Sequence, residues 1–159
     1  MSFRMTAYAV LTGLSMFGTQ AFSQQGEWST AGMTADRPAL SYFASGDTRF
    51  VMTCHQIGDM RFHVKGFAAA QRWPQSALTV SFGEVERTKR PDLRLIGDRT
   101  SFEIEFAIAD SVLESIARGL PVKARFDEQE QLFPVPPEAM RREFARKCAA
   151  LVPAGMRKG

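Results

Sequence analysis

The sequence is poor in the residues on which enzyme chemistry depends. Of its 159 residues only two are cysteine, Cys54 and Cys148, and only two are histidine, His55 and His63. It contains no G-x-S-x-G motif, no H-E-x-x-H motif and no Gly-rich phosphate loop. A Ser-His-Asp triad would need His55 or His63, and both are expected beside Arg and Lys side chains that disfavour an imidazolium. We therefore expect no catalytic residue, no cofactor and no enzyme activity.

The scarcity of histidine also argues against a metal site. In the favoured strand register, His55 and His63 are diagonal neighbours roughly 7 to 8 Å apart at the backbone. Two such ligands are fewer than the three or four of a closed site. Glu103 and Glu105 share one face of a strand, and we expect them to be polar residues on its wet side rather than an acid–base pair.

A long apolar run is also missing. The first 23 residues carry one charge, Arg4, and the stretch from Met5 to Phe17 is apolar or small. These roughly 13 residues are fewer than the roughly 20 that span a bilayer. Small residues end the segment at Ser23, as is typical of an export signal, so residues 1–23 are predicted to be cleaved. We expect a periplasmic or secreted protein that does not span the membrane.

The remaining chain has the size of one domain. We expect a single β-rich domain over residues 24–152, followed by a basic tail over residues 153–159. Loss of the charge at Arg4 lowers the formal net charge from +3 to +2. This near balance gives no indication of a nucleic-acid partner.

Two cysteines in an exported chain predict one disulfide, Cys54 to Cys148. The alternative is two free thiols, of which Cys54 would be nucleophilic with His55 as its base. Neighbouring side chains on a strand point to opposite faces, so His55 should face away from Cys54. That geometry favours the disulfide.

The hydrophobic spacing is that of strands over most of the chain. In the stretch 101–108 apolar residues alternate with polar or small ones, the pattern of a strand with one buried face: Phe102, Ile104, Phe106 and Ile108. Turn residues recur every eight to twelve positions, as in sandwiches and barrels. We predict a mainly β (α+β) fold, an antiparallel sandwich or flattened barrel. Two turns are expected to be charged, 86–91 and 127–131.

Helical spacing appears only late in the sequence. Val112, Leu113 and Ile116 predict a short helix capped by Asp110 or Ser111, with Gly119 at its C-terminal cap. A second helix is predicted from residue 137 to about 151. Its apolar stripe is Met140, Phe144, Cys148 and Leu151. The disulfide would hold this helix against the strand that ends at Cys54.

One hairpin carries the candidate binding surface. Strand 49–55 is expected to return through strand 60–67, with Cys54 opposite Phe62 in the favoured register. This register places the basic side chains of both strands on the wet face. The predicted binding residues are Arg49, Arg61, His63 and Lys65, joined by Arg72 and Trp73 from the following loop. Such a surface suits an anionic envelope component or an acidic protein, although a merely solvated strand face is the alternative.

The order of these parts resembles a group of small exported proteobacterial domains. The matching features are Trp28, the strand Phe50 to Cys54, the pattern Leu113 to Val122 and the helix Ala139 to Cys148. Among named families it is similar to the invasion-associated locus B-like proteins and to the periplasmic type VI secretion accessory proteins of the VasI/TagO type. The resemblance implies a non-catalytic β-sandwich of the bacterial envelope.

The function expected from these observations is protein–protein interaction by an envelope binding module. A carrier of a small ligand or lipid, with an apolar cavity inside the sheets, is the main alternative. A hydrolase inhibitor and an enzyme rank below both.

Overall fold

The computed structural model describes residues 26–68, 76–96 and 99–152. The predicted signal segment, 1–23, and the predicted tail, 153–159, lie outside these residues. In chain order the elements are β1 (Glu27–Ser29), β2 (Ala39–Ala44), β3 (Asp47–Cys54), β4 (Asp59–Lys65), β5 (Leu78–Phe82), β6 (Val85–Lys89), β7 (Asp92–Ile96), β8 (Arg99–Ala107), α1 (Asp110–Arg118), β9 (Val122–Phe126), β10 (Gln129–Phe133) and α2 (Glu138–Ala150).

The strands form two antiparallel sheets, which confirms the predicted fold class. Sheet A has the order β1-β2-β3-β4-β8-β7, and sheet B has the order β10-β9-β5-β6. The sheets keep separate edges, so the architecture is a sandwich and not a closed barrel. Neither described helix is long and apolar enough to cross a membrane.

Aromatic rings from the facing strands fill the space between the sheets. Phe102 of sheet A meets Phe126 of sheet B with ring centroids 4.6 Å apart, and Phe50 meets Phe133 at 4.7 Å. These four rings are almost completely buried. The alternation of buried residues along β4 and β9 contributes to one continuous core, as the two-residue period predicts.

The two helices pack on one another and close one side of the sandwich. Helix α1 ends at Gly119, whose left-handed φ of 77° suits glycine, as predicted. The predicted side-chain cap is wrong, because Ala109 occupies the cap position and makes no side-chain hydrogen bond there. Helix α2 follows Pro137 and buries Phe144.

The predicted disulfide is confirmed and joins α2 to the end of β3. The sulfurs of Cys54 and Cys148 are 2.06 Å apart, and no cysteine is free. Both residues are fully buried. The bridge therefore holds α2 against β3, although its two cysteines are 94 residues apart in the sequence.

The predicted register of the β3–β4 hairpin is wrong by two residues. Cys54 lies opposite Met60, and Phe62 lies opposite Met52. A tight turn causes the difference, because Gly58 takes a positive φ of 86° and lets the chain reverse earlier. A shift of two residues keeps every side chain on its predicted face.

Two segments predicted as charged turns contain strands. Residues 85–89 form β6, an edge strand of sheet B, and residues 129–133 form the opposite edge, β10. The real turns are Gly83-Glu84 and Asp127-Glu128. Edge strands tolerate charged side chains that a central strand would not, and this tolerance hid both strands in the sequence.

Candidate functional site

Three of the predicted binding residues lie together on the outer face of sheet A. Arg61, His63 and Lys65 alternate along β4 with side chains that point into the core. The neighbouring strand β8 sets Glu105 opposite Arg61 and Glu103 opposite His63. Cross-strand pairs of this kind place side chains within direct contact.

These contacts form an ion-pair network. Arg61 Nε donates a hydrogen bond to Glu105 Oε2 at 2.8 Å and lies 3.2 Å from Glu103 Oε1. His63 Nδ1 lies 3.4 Å from Glu103 Oε2, and Lys65 Nζ lies 3.3 Å from Asp47 Oδ1. Carboxylates of β8 and β3 therefore face three of the basic groups of the predicted binding surface.

Burial distinguishes this network from a strand face whose polar side chains are simply exposed to solvent. The side chain of Glu103 is only 6% exposed, which contradicts its predicted place on the wet side of a strand. The hydrogen bond from Arg61 lowers the pKa of Glu105, and the same bond raises the pKa of Arg61. The network stabilises sheet A, and the Arg61 guanidinium already contacts two carboxylates, those of Glu103 and Glu105.

Arg49 lies elsewhere than predicted. In the pairing of β2 with β3, Tyr42 lies opposite Phe50 and Phe43 lies opposite Thr48, so Arg49 is an extra residue in a β-bulge. A bulge interrupts strict alternation and redirects a side chain. Arg49 accordingly lines a cleft between the sheets instead of joining the outer face.

The cleft has a volume of about 970 Å³ and runs along β10. One wall is the continuous run 129–135, and the other wall and floor contain Tyr42, Arg49, Gly66, Phe67 and Pro121. The rings of Tyr42, Phe67 and Phe133 are buried, whereas Leu132 and Val135 are 64% and 42% exposed. The cleft thus combines an apolar floor with an open, partly apolar rim, which is the usual character of a ligand site.

Two charged residues line this cleft: Arg49, and Glu130, whose carboxylate lies 3.5 Å from Lys123 Nζ. The Nε atom of Arg49 is buried and has no hydrogen-bond partner, and no described carboxylate pairs with its guanidinium. Gly66, at a φ of 96°, gives the group its space, because a Cβ there would lie 2.9 Å from Arg49 Nη1. A half-buried guanidinium whose buried Nε has no hydrogen-bond partner favours an anionic ligand.

Two glutamines of β10 hold the opposite wall in place. Gln131 Nε2 donates to the Lys65 carbonyl at 3.1 Å. The Gln129 side chain accepts from the Ala68 amide at 3.0 Å and donates to the Ala68 carbonyl at 3.2 Å. These three bonds tie β10 to Lys65 at the end of β4 and to Ala68 just after it.

Arg72 and Trp73, the remaining predicted binding residues, lie outside the described residues. The sequence reasoning missed β10 and its cleft. A signal was present in Leu132-Phe133, because two adjacent large apolar residues on a strand cannot both face the core.

The described residues also bear on chemistry at metals and thiols. Among them there is no group of three or more His, Cys, Asp or Glu side chains placed to hold a metal ion. Cys54 is committed to the disulfide, so it is not a free nucleophile. His55 has a buried Nε2 atom with no hydrogen-bond partner.

Comparison with known proteins gives no relative. No family model matches the chain, and neither the curated proteins nor the solved structures contain a match. The resemblance to exported envelope domains therefore stays a hypothesis that rests on the order of the sequence features.

Proposed function

We propose that this protein is a non-catalytic binding module of the bacterial envelope and that the cleft along β10 is its binding site. The observation that carries the proposal is a largely apolar cleft lined by Arg49, whose buried Nε has no hydrogen-bond partner. The disulfide fits an oxidising compartment, which supports export to the periplasm or beyond. The predicted signal segment and the resemblance to exported domains support the same location.

The proposal moves the site away from the outer face of sheet A. Arg61, His63 and Lys65 already face carboxylates, so a partner there would have to displace existing ion pairs. Arg49 needs no such exchange. The partner is an envelope protein or another anionic envelope component, and the module contributes affinity rather than chemistry.

Site-specific photo-crosslinking in the exporting cell tests this proposal. A photoreactive amino acid at Val135, on the rim of the cleft, is expected to capture a partner. The matched control is Ile57, which is 78% exposed on the β3–β4 turn, at the end of that hairpin away from Arg49. Equal capture at both positions, or none at Val135, would contradict a site in the cleft.

The lipid-carrier alternative predicts a different result in native mass spectrometry. Tyr42, Phe67 and Phe133 provide an apolar floor on which an acyl chain could lie. A carrier purified from periplasmic extract would show extra mass that is lost on denaturation. A bare monomer in that experiment favours the protein-binding module.

A further inference from the structure

Resting on the proposed function, we infer that the cleft takes an extended peptide bearing a carboxylate, which adds to the free edge of β10 as a further strand. The first observation is the hydrogen-bond pattern of β10. A two-residue turn, Asp127-Glu128, joins it to β9, with Phe126 opposite Gln129. In such a hairpin the peptide groups of alternate residues point toward the partner strand and away from it.

The alternation leaves Glu130 and Leu132 with outward backbone groups. Gln129, Gln131 and Phe133 turn their N–H and C=O groups toward β9, so Glu130 and Leu132 present theirs to the cleft. No described residue supplies a backbone partner for these groups. Two residues along a strand span about 7 Å, which is the repeat that an added antiparallel or parallel strand needs.

The end of β10 limits how far an added strand can pair. Pro134 has no N–H, and its carbonyl already accepts a hydrogen bond from Trp28 Nε1 at 2.9 Å. Pairing is therefore confined to the stretch before Pro134. The five residues of β10, 129–133, extend for about 16 Å at 3.3 Å per residue, so about five residues of a hexapeptide can lie along the strand.

Arg49 sets the chemistry of the peptide. Its guanidinium lies near the Gln131 side chain of β10, because a Cβ at Gly66 would be 2.9 Å from Arg49 Nη1 and 3.2 Å from Gln131 Nε2. A carboxylate fits the planar guanidinium fork better than a neutral group does. The carboxylate is either an Asp or Glu side chain or the C-terminus of the peptide, since both present the same two oxygens.

A pair of substitutions at one position tests strand addition. Leu132→Pro removes the outward N–H and leaves the ladder with β9 intact, while Leu132→Ala removes the side chain and keeps the N–H. The probe is a random hexapeptide library with free carboxyl ends, selected on the purified protein and identified by mass spectrometry. The enriched peptide is expected to bind Leu132→Ala like wild type and to bind Leu132→Pro about tenfold more weakly or worse.

The charge requirement has its own variant. Arg49→Met is expected to weaken the same peptide by about tenfold or more, with Arg49→Lys in between. Synthesis of the enriched peptide with an amidated end identifies which carboxylate is bound. Loss of binding on amidation assigns the C-terminus, and retained binding that is lost on Asp-to-Asn or Glu-to-Gln exchange in the peptide assigns a side chain.

Several outcomes would overturn the inference. Unchanged binding by Leu132→Pro excludes strand addition, and binding that ignores both amidation and side-chain exchange excludes a carboxylate. A dimer in solution that only Leu132→Pro dissociates would make a second copy of this chain the occupant. An empty selection also overturns the inference, whereas a protein crosslinked at Val135 but not at Ile57 would still uphold the binding module itself.

Discussion

At the scale of single residues, the burial of Glu103 determines the role of Arg61. The carboxylate is almost fully enclosed, and Arg61 approaches it while also binding the more exposed Glu105. A buried carboxylate that loses its cation keeps its desolvation cost. Arg61 is therefore a structural residue whose removal alters stability as well as charge.

We predict that Arg61→Met lowers the free energy of unfolding by about 1 to 3 kcal/mol, measured by urea denaturation. The control is Arg142→Ala, which breaks an exposed helical pair with Glu138 and should cost less than about 0.5 kcal/mol. Adding Glu103→Gln to Arg61→Met should recover part of the loss, because the buried charge is then gone. Equal effects of Arg61→Met and Arg142→Ala would contradict the role assigned to the network.

The lowered pKa of His55 predicts how the free energy of unfolding depends on pH. Burial, and next the Arg61 guanidinium, lower the pKa of His55 below its usual 6.5. The unfolded chain therefore binds a proton at a higher pH than the folded chain does. The stabilisation is present above pH 6.5 and is lost as the pH falls through the folded pKa.

The test is a set of urea titrations at pH values from 7.5 down to 5. Wild type should lose stability over the range below 6.5, and His55→Gln should show a flatter profile there. The pH profile of His63→Gln serves as the comparison. This variant removes the other histidine, which lies beside Glu103, whereas His55 does not. A wild-type profile that is flat below pH 6.5 would contradict the prediction.

At the scale of elements, the disulfide carries the attachment of α2. The bridge joins residues 94 positions apart, and α2 buries few large side chains besides Phe144. In the chain-entropy model a loop of this length contributes about 4 to 5 kcal/mol. The bridge also holds in place α2, which closes one side of the core together with α1.

We expect the double variant Cys54→Ala, Cys148→Ala to lose about 4 kcal/mol of folding free energy, measured by denaturation without reductant. Wild type unfolded with reductant should give the same midpoint as the variant. As a matched control, both proteins are unfolded with reductant, and their midpoints should coincide. A variant as stable as the oxidised protein would show that packing alone holds α2.

The elements also show what the sequence can and cannot reveal. The strand β8 and the glycine cap of α1 follow from local signals and were predicted correctly, whereas the burial of Glu103 within β8 was not. The edge strands β6 and β10 were missed because solvent on one side admits charged residues there. Arg49 was misplaced because a bulge depends on the pairing of β2 with β3, and no local pattern reports that pairing. The cleft depends on both missed features, and only the β10 edge had a sequence signal, the adjacent pair Leu132-Phe133.

At the scale of the whole molecule, the topology separates paired strands from free edges. In sheet A, β4 is bonded on both sides, to β3 and to β8. In sheet B, β10 pairs with β9 alone among the described strands, and its other side faces the cleft. Amide hydrogen exchange distinguishes these situations residue by residue, because an unbonded amide exchanges without any opening of the fold.

We predict an alternating exchange pattern along β10 in the ligand-free protein. The amides of Gln131 and Phe133 should be protected by their bonds to β9, and those of Glu130 and Leu132 should exchange rapidly. The control is β4, where consecutive amides should all be protected since both of its sides are paired. Protection of Glu130 and Leu132 equal to that of Gln131 would mean that the free edge is already covered, either by another part of this chain or by a second copy. Rapid exchange at these two positions, slowed on addition of a bound peptide, would place that peptide on the edge of β10.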